Sequence, residues 1–221
     1  LLDSPEYAMA LNSLGLSYSD NGNYSKALEI SLKTLGVFQK IYGENDQNIA
    51  ICENNIASAY SNIGEYQRAL EHNIRSLEIR KKTLGEKHLD YILSLNNLAV
   101  TYSELGRYKE ALDLKIRVKD LYEEVGGTSH PNYATSLNNL AESYSEVGEY
   151  SRALDYHFET LILKEKIYGK EHLEYAKSLG NIAVTFSFLG QFSEALQYNL
   201  KAFEIREKVL GHMHPACAIN L

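Results

Sequence analysis

The chain has 221 residues, of which 44% are hydrophobic and 23% charged, the proportions of a folded globular protein rather than a disordered or fibrous one. A formal net charge of −7 excludes the basic footprint that binds nucleic acid or an anionic membrane surface. No apolar run approaches the roughly 20 residues that span a bilayer, no basic-then-apolar leader opens the chain, and Cys52 and Cys217 form neither a CxxC pair nor a disulfide framework, so a reducing, cytoplasmic compartment is expected.

In chain order, Ser4–Pro5 reads as the start of a helix. Ser4 is the N-cap, and Pro5 stands where a missing N–H costs nothing. Gly22 ends that helix, because glycine accepts the left-handed backbone that a helix C-terminus often needs. A second helix runs on towards Gly43. The plan then recurs every 42 residues. Gly22, Gly64, Gly106, Gly148 and Gly190 form one column, and Gly43, Gly85, Gly127, Gly169 and Gly211 another. Tyr18, Tyr60, Tyr102 and Tyr144 share a column with Phe186; Tyr24, Tyr66, Tyr108 and Tyr150 share one with Phe192. Ala27, Ala69, Ala111, Ala153 and Ala195 make a further column, and Pro5, Pro131 and Pro215 fall in register. No insertion breaks the period. The repeats are 5–46, 47–88, 89–130, 131–172 and 173–214, with 215–221 beginning a sixth. A start without Met and a stop inside a repeat read as a fragment of a larger protein.

The third repeat shows the pattern inside each unit. Tyr91 to Glu104 carries Leu95, Leu98, Ala99 and Tyr102 on one helical stripe, and Gly106 stops it. Tyr108 to Tyr122 carries Ala111, Leu112, Ile116 and Leu121, and Gly126–Gly127 stops that helix. A lone helix pair cannot bury its apolar stripe, whereas stacked pairs cover one another, so the expected fold is an all-α solenoid of antiparallel helix pairs.

The segments LNNLAVTY (95–102), GRYKEAL (106–112), LNNLAESY (137–144) and EIREKVLGHMHP (204–215) resemble the tetratricopeptide repeat (TPR), in the 42-residue form of the kinesin light chain family. The resemblance covers the whole chain and implies one right-handed TPR superhelix, with the first helix of each repeat lining a concave groove.

Candidate chemistry is sparse. His88, His130, His172 and His214 form a column headed by Asp46, but equivalent residues of stacked repeats stand about 10–20 Å apart, given interaxial spacings near 8–10 Å. Metal ligands must converge within about 2 Å of one ion. Capping or loop hydrogen bonding is therefore expected, with the His212/His214 pair the only weak metal candidate. Cys52 shares its column with Ala10, Ser94, Ser136 and Ser178 and reads as a small packing residue. No phosphate loop, GxSxG or HExxH occurs, so neither an enzyme nor a cofactor nor a metal is expected.

Two adjacent asparagine columns remain to be explained. Asn12, Asn54, Asn96 and Asn138 form one, ending in Gly180; Asn55, Asn97, Asn139 and Asn181 form the other, starting at Ser13. Asparagine is a mediocre helix former, but its amide offers two donors and an acceptor. One role is to grip the backbone of an extended peptide, which the resemblance supports. The other is to bond neighbouring first helices together; the two columns allow both. The opposite side of the third repeat's first helix holds Leu93, Val100, Ser103 and Glu104. The strips beside the asparagines are Met9, Ile51, Leu93, Thr135 and Lys177; Leu16, Ser58, Val100, Glu142 and Val184; and Asp20, Asn62, Glu104, Glu146 and Phe188. The groove is thus partly apolar with an acidic edge, and exposed apolar residues point to a partner surface.

The expected function is a protein–protein interaction module. Its partner is an unidentified protein or peptide, or another domain of the parent chain, with no nucleic acid and no membrane. The TPR clamp for a C-terminal carboxylate is excluded, since only Lys177 is basic in these strips. Acidic cargo, which the kinesin light chain resemblance implies, is disfavoured by Asp20, Glu104 and Glu146 where that family is basic. The favoured ligand is a neutral or basic extended peptide with apolar anchors. The alternatives are a sensor or scaffold arm regulating an attached effector domain, a cargo-binding motor adaptor, and self-association through the terminal half-repeat.

Overall fold

The computed structural model describes residues 4–211. The half-repeat 215–221, His212, His214, Pro215 and Cys217 lie outside the described residues. Among the described residues the fold is all-helical, with ten α-helices and one short 3-10 turn, Gly127–Ser129. The first helices of the five repeats are α1 (Pro5–Asp20), α3 (Gln47–Asn62), α5 (Leu89–Glu104), α7 (Pro131–Glu146) and α9 (Leu173–Phe188). The second helices are α2 (Tyr24–Tyr42), α4 (Tyr66–Leu84), α6 (Tyr108–Glu124), α8 (Tyr150–Tyr168) and α10 (Phe192–Leu210).

The chain divides into two compact units, Leu1–Val125 and Gly126–Leu221. In the first, each helix from α1 to α6 packs on the next; in the second, each from α7 to α10 does. The alanine column is the reason they pack closely: Ala27, Ala69, Ala111, Ala153 and Ala195 are all buried.

Local chemistry sets every boundary of the first helices. Ser4, Asp46, His88, His130 and His172 are their N-caps, and each side chain accepts a backbone N–H of the first turn. The three histidines accept through Nδ1 at 3.1 Å. The described histidines of the column are thus helix caps, one of the two structural roles expected for them. At the other end the glycine column takes φ between 72° and 83°. The residue after each glycine then donates its N–H back to the carbonyl of Tyr18, Tyr60, Tyr102, Tyr144 or Phe186 at 2.8–2.9 Å. This is a Schellman closure repeated five times, and it ties the tyrosine column to the turn.

Three positions depart from the expected register. Gly43, Gly85, Gly169 and Gly211 have positive φ, but in the third repeat Gly126 (φ 68°) takes that conformation in place of Gly127, and α6 is correspondingly two residues shorter than the other second helices. Lys115, a cation within the apolar stripe of α6, is 3% exposed, with Nζ donating to Ser103 Oγ at 3.2 Å. In the second repeat the leucine column of Leu11, Leu95, Leu137 and Leu179 holds Glu53, which is fully buried. His72 Nδ1 meets Glu53 Oε2 at 2.5 Å and Arg75 Nε stands 3.2 Å from Oε1, so the buried charge has partners. Beside it Cys52 is buried, and that burial, with the Glu53 charge next, pushes its thiol up to about 12, which leaves it an inert packing residue.

Candidate functional site

The asparagine columns are wired in diagonals. Asn55 Nδ2 donates to Asn12 Oδ1 at 2.9 Å, joining α3 to α1, and Asn181 Nδ2 donates to Asn138 Oδ1 at 2.7 Å, joining α9 to α7. Each diagonal runs from one column to the other column of the preceding repeat. These amides bond first helix to first helix, the second of the two roles their chemistry allows. Asn54 turns aside, donating instead to Ser94 Oγ at 3.3 Å.

Between the first helices lie two pockets built from the same columns. In the first unit a pocket of about 250 Å³ opens between α3 and α5, lined by Asn54, Ser58, Ser61, Asn62, Asn73, Asn97, Val100, Thr101 and Glu104. In the second a pocket of about 430 Å³ opens between α7 and α9, lined by Glu142, Ser145, Glu146, His157, Asn181, Val184, Thr185 and Phe188. Every residue of the second pocket stands 84 positions, two repeats, after one of the first. Ser61/Ser145, Asn97/Asn181, Val100/Val184 and Thr101/Thr185 are unchanged in type. Ser58 becomes Glu142, Asn62 becomes Glu146, Asn73 becomes His157 and Glu104 becomes Phe188.

The floors differ in chemistry. Asn73 is 4% exposed; its Nδ2 donates to Thr101 Oγ1 at 2.8 Å, and Thr101 in turn donates to the Asn97 carbonyl at 3.2 Å. Asn73 Oδ1 is buried at this floor without a hydrogen-bond partner among the described residues. His157 is 3% exposed, and burial alone pushes its imidazole down to about 4, so it is neutral at pH 7. The walls differ too. Glu104 accepts from Ser61 Oγ at 2.8 Å, whereas Phe188, 59% exposed, stacks on Tyr150 with centroids 5.1 Å apart and planes 7° off parallel.

Of the residues singled out in the sequence, Asn54, Asn97, Val100 and Glu104 come together in the first pocket, and Glu142, Glu146, Asn181 and Phe188 in the second. Asn12, Asn55 and Asn138 serve the diagonals, while Leu93, Asn96 and Asn139 are half-buried and Lys177 exposed outside either pocket. The sequence reading missed the floor residues, which come from second helices. Their column is Ser31, Asn73, Lys115, His157 and Asn199. A polar residue in all five copies amid the apolar stripe was the available signal; the first four are buried.

Among the described residues no group of three or more His, Cys, Asp or Glu side chains could hold a metal ion, and no helix is long and apolar enough to cross a membrane.

The tetratricopeptide repeat family model matches residues 6–82, 53–122, 104–161 and 159–208, and the chain belongs to that family. Comparison with the curated proteins finds no match. Among solved structures, the nearly identical TPR-like repeats of a kinesin light chain from Podosopora anserina are 23% identical, with a TM-score of 0.77 over 94% of this chain and 98% of that one. BtubC (BKLC) from P. vanneervenii is 19% identical, with a TM-score of 0.79 over 95% of this chain and 83% of that one. The Rap conjugation gene regulator of plasmid pLS20, in complex with the Phr* peptide, is 18% identical, with a TM-score of 0.72 over 88% of this chain; this chain spans about half (52%) of its length. These likenesses establish the kinesin-light-chain-like TPR fold.

Proposed function

We propose that this tetratricopeptide-repeat chain is a protein–protein interaction module that holds an extended segment of a partner protein along the faces of its first helices. The carrying observation is the recurrence of one pocket, in register, in both units, with the sequence-predicted face residues in its lining. Val100, Val184 and Phe188 offer apolar contact, and the polar side chains of the two linings offer hydrogen bonds to a peptide backbone. The Rap regulator, of like fold, is solved in complex with a peptide, which is consistent with this use of the scaffold.

The segment is neutral or basic. Glu104, Glu142 and Glu146 line the two pockets, and no lysine or arginine does. An acidic segment would meet like charge on the walls. The same point weighs against acidic cargo of the motor-adaptor kind. The test is a titration of fluorescent acidic and basic extended-peptide pools against the chain. Preference for the basic pool, weakening with salt, is expected; a preference for the acidic pool overturns the reading.

A further inference from the structure

The diagonal in the second unit does more than join two helices. Asn181 donates to Asn138 Oδ1, which leaves Asn138 Nδ2 to donate to Glu142 Oε1 at 2.7 Å. Asn138 is 8% exposed and spends both ends of its amide in this relay. Glu142, exposed at the pocket wall, is thereby held in one place with only one of its two oxygens occupied among the described residues. The first unit has no such relay: the Glu142 position is Ser58, and Asn54 bonds Ser94 instead.

Three further features converge on the same volume. Glu146 adds a second carboxylate. Val184 and Phe188 supply an apolar wall, with Phe188 backed by Tyr150 and more than half exposed. His157 closes the floor without adding positive charge. A held carboxylate, a second beside it and an open aromatic ring suit a planar cation on an aliphatic stem. Guanidinium meets both demands, since it pairs with a carboxylate through a fork of N–H groups and stacks on a ring face. This fold already sets guanidinium groups over rings, Arg107 over Tyr102 at 4.4 Å and Arg152 over Tyr144 at 5.6 Å.

We infer that the pocket between α7 and α9 is a receptor for an arginine side chain of the bound segment, with Glu142 as the oriented ion-pair acceptor, Asn138 and Asn181 as its positioning residues and Phe188 as the stacking surface. This rests on the first-helix faces binding an extended segment. The probes are N-acetyl-arginine amide and its uncharged isostere, N-acetyl-citrulline amide, titrated by NMR chemical shift into the chain. Arginine amide should perturb the α7–α9 pocket and citrulline amide should bind about fivefold more weakly or not at all, the loss of a part-exposed, charge-assisted pair. Glu142→Gln, conservative and on the surface, should abolish the difference. Asn138→Leu should weaken the response to arginine amide while leaving the response to citrulline amide unchanged, a split that a purely structural role would not produce. Equal response to the two amides, or arginine selectivity surviving in Glu142→Gln, overturns the inference. Extended peptides that bind the first-helix faces without regard to arginine overturn it too, yet leave the broader function standing; peptides that bind only elsewhere sink both.

Discussion

The pockets of the two units are the same cavity written twice with four letters changed. In the first unit Ser58, Asn62, Asn73 and Glu104 make it small and hydrogen-bonding; in the second Glu142, Glu146, His157 and Phe188 make it larger, acid-rimmed and aromatic. The scaffold beneath is held constant by Schellman closures and N-caps in each repeat. The repeat therefore separates the residues that fix the backbone from those that choose a ligand. Changes in the second set should alter binding while leaving the fold in place, and changes in the first should do the reverse.

The largest expected break is in the scaffold. Leu137 is fully buried in the leucine column, and Leu137→Ala should cost about 2–5 kcal/mol in denaturant unfolding. At the same column position of the first unit, Glu53→Leu should be neutral or stabilising, because it removes a fully buried carboxylate while its partners Arg75 and His72, 45% and 22% exposed, keep access to water. A severe loss there would mean that the His72–Glu53–Arg75 cluster holds its repeat together.

Next comes the floor of the pocket. His157 in the folded chain titrates near 4, below the roughly 6.5 of an unfolded histidine. Between these values the unfolded state binds more protons, so stability falls as pH drops from about 6.5 to about 4 and is unaffected at pH 7 and above. The whole contribution is on the order of 3 kcal/mol, at about 1.4 kcal/mol for each pH unit between the two values. Asn73 in the other unit carries no such charge, so His157→Asn should flatten this part of the pH profile. An unchanged profile would place His157 in contact with solvent.

A smaller effect tests the third repeat's altered turn. Gly169→Ala, at φ 82°, should cost about 1 kcal/mol, whereas Gly127→Ala should be nearly silent because Gly126 carries the positive φ there. Equal costs would restore Gly127 to the column's role. Smallest of all, Asn55→Ala removes one half-buried bond between α3 and α1 and should cost about 1 kcal/mol or less.

Much of this was readable from the chain. The 42-residue period places all five first helices at identical offsets, because glycine, proline and capping residues act locally and leave columns. The apolar and acidic face residues Val100, Glu104, Glu142, Glu146 and Phe188 were legible for the same reason. The pocket floors were not, because Asn73 and His157 come from the other helix of the repeat and sit where amphipathic patterning predicts only packing. Nor could spacing reveal that Asn138 is bonded at both ends, for a wheel shows which side a residue faces but not which partner it finds. Glu53 was hidden in a column that four other repeats fill with leucine.

The separation of scaffold from ligand choice is tested most directly by locating a bound segment. A basic extended-peptide pool carrying a photo-crosslinking residue should attach to α3, α5, α7 and α9 at the two pockets, and Glu142→Gln with Glu146→Gln should reduce attachment at the second pocket alone. Attachment confined to the second helices α2, α4, α6, α8 and α10 would contradict the account.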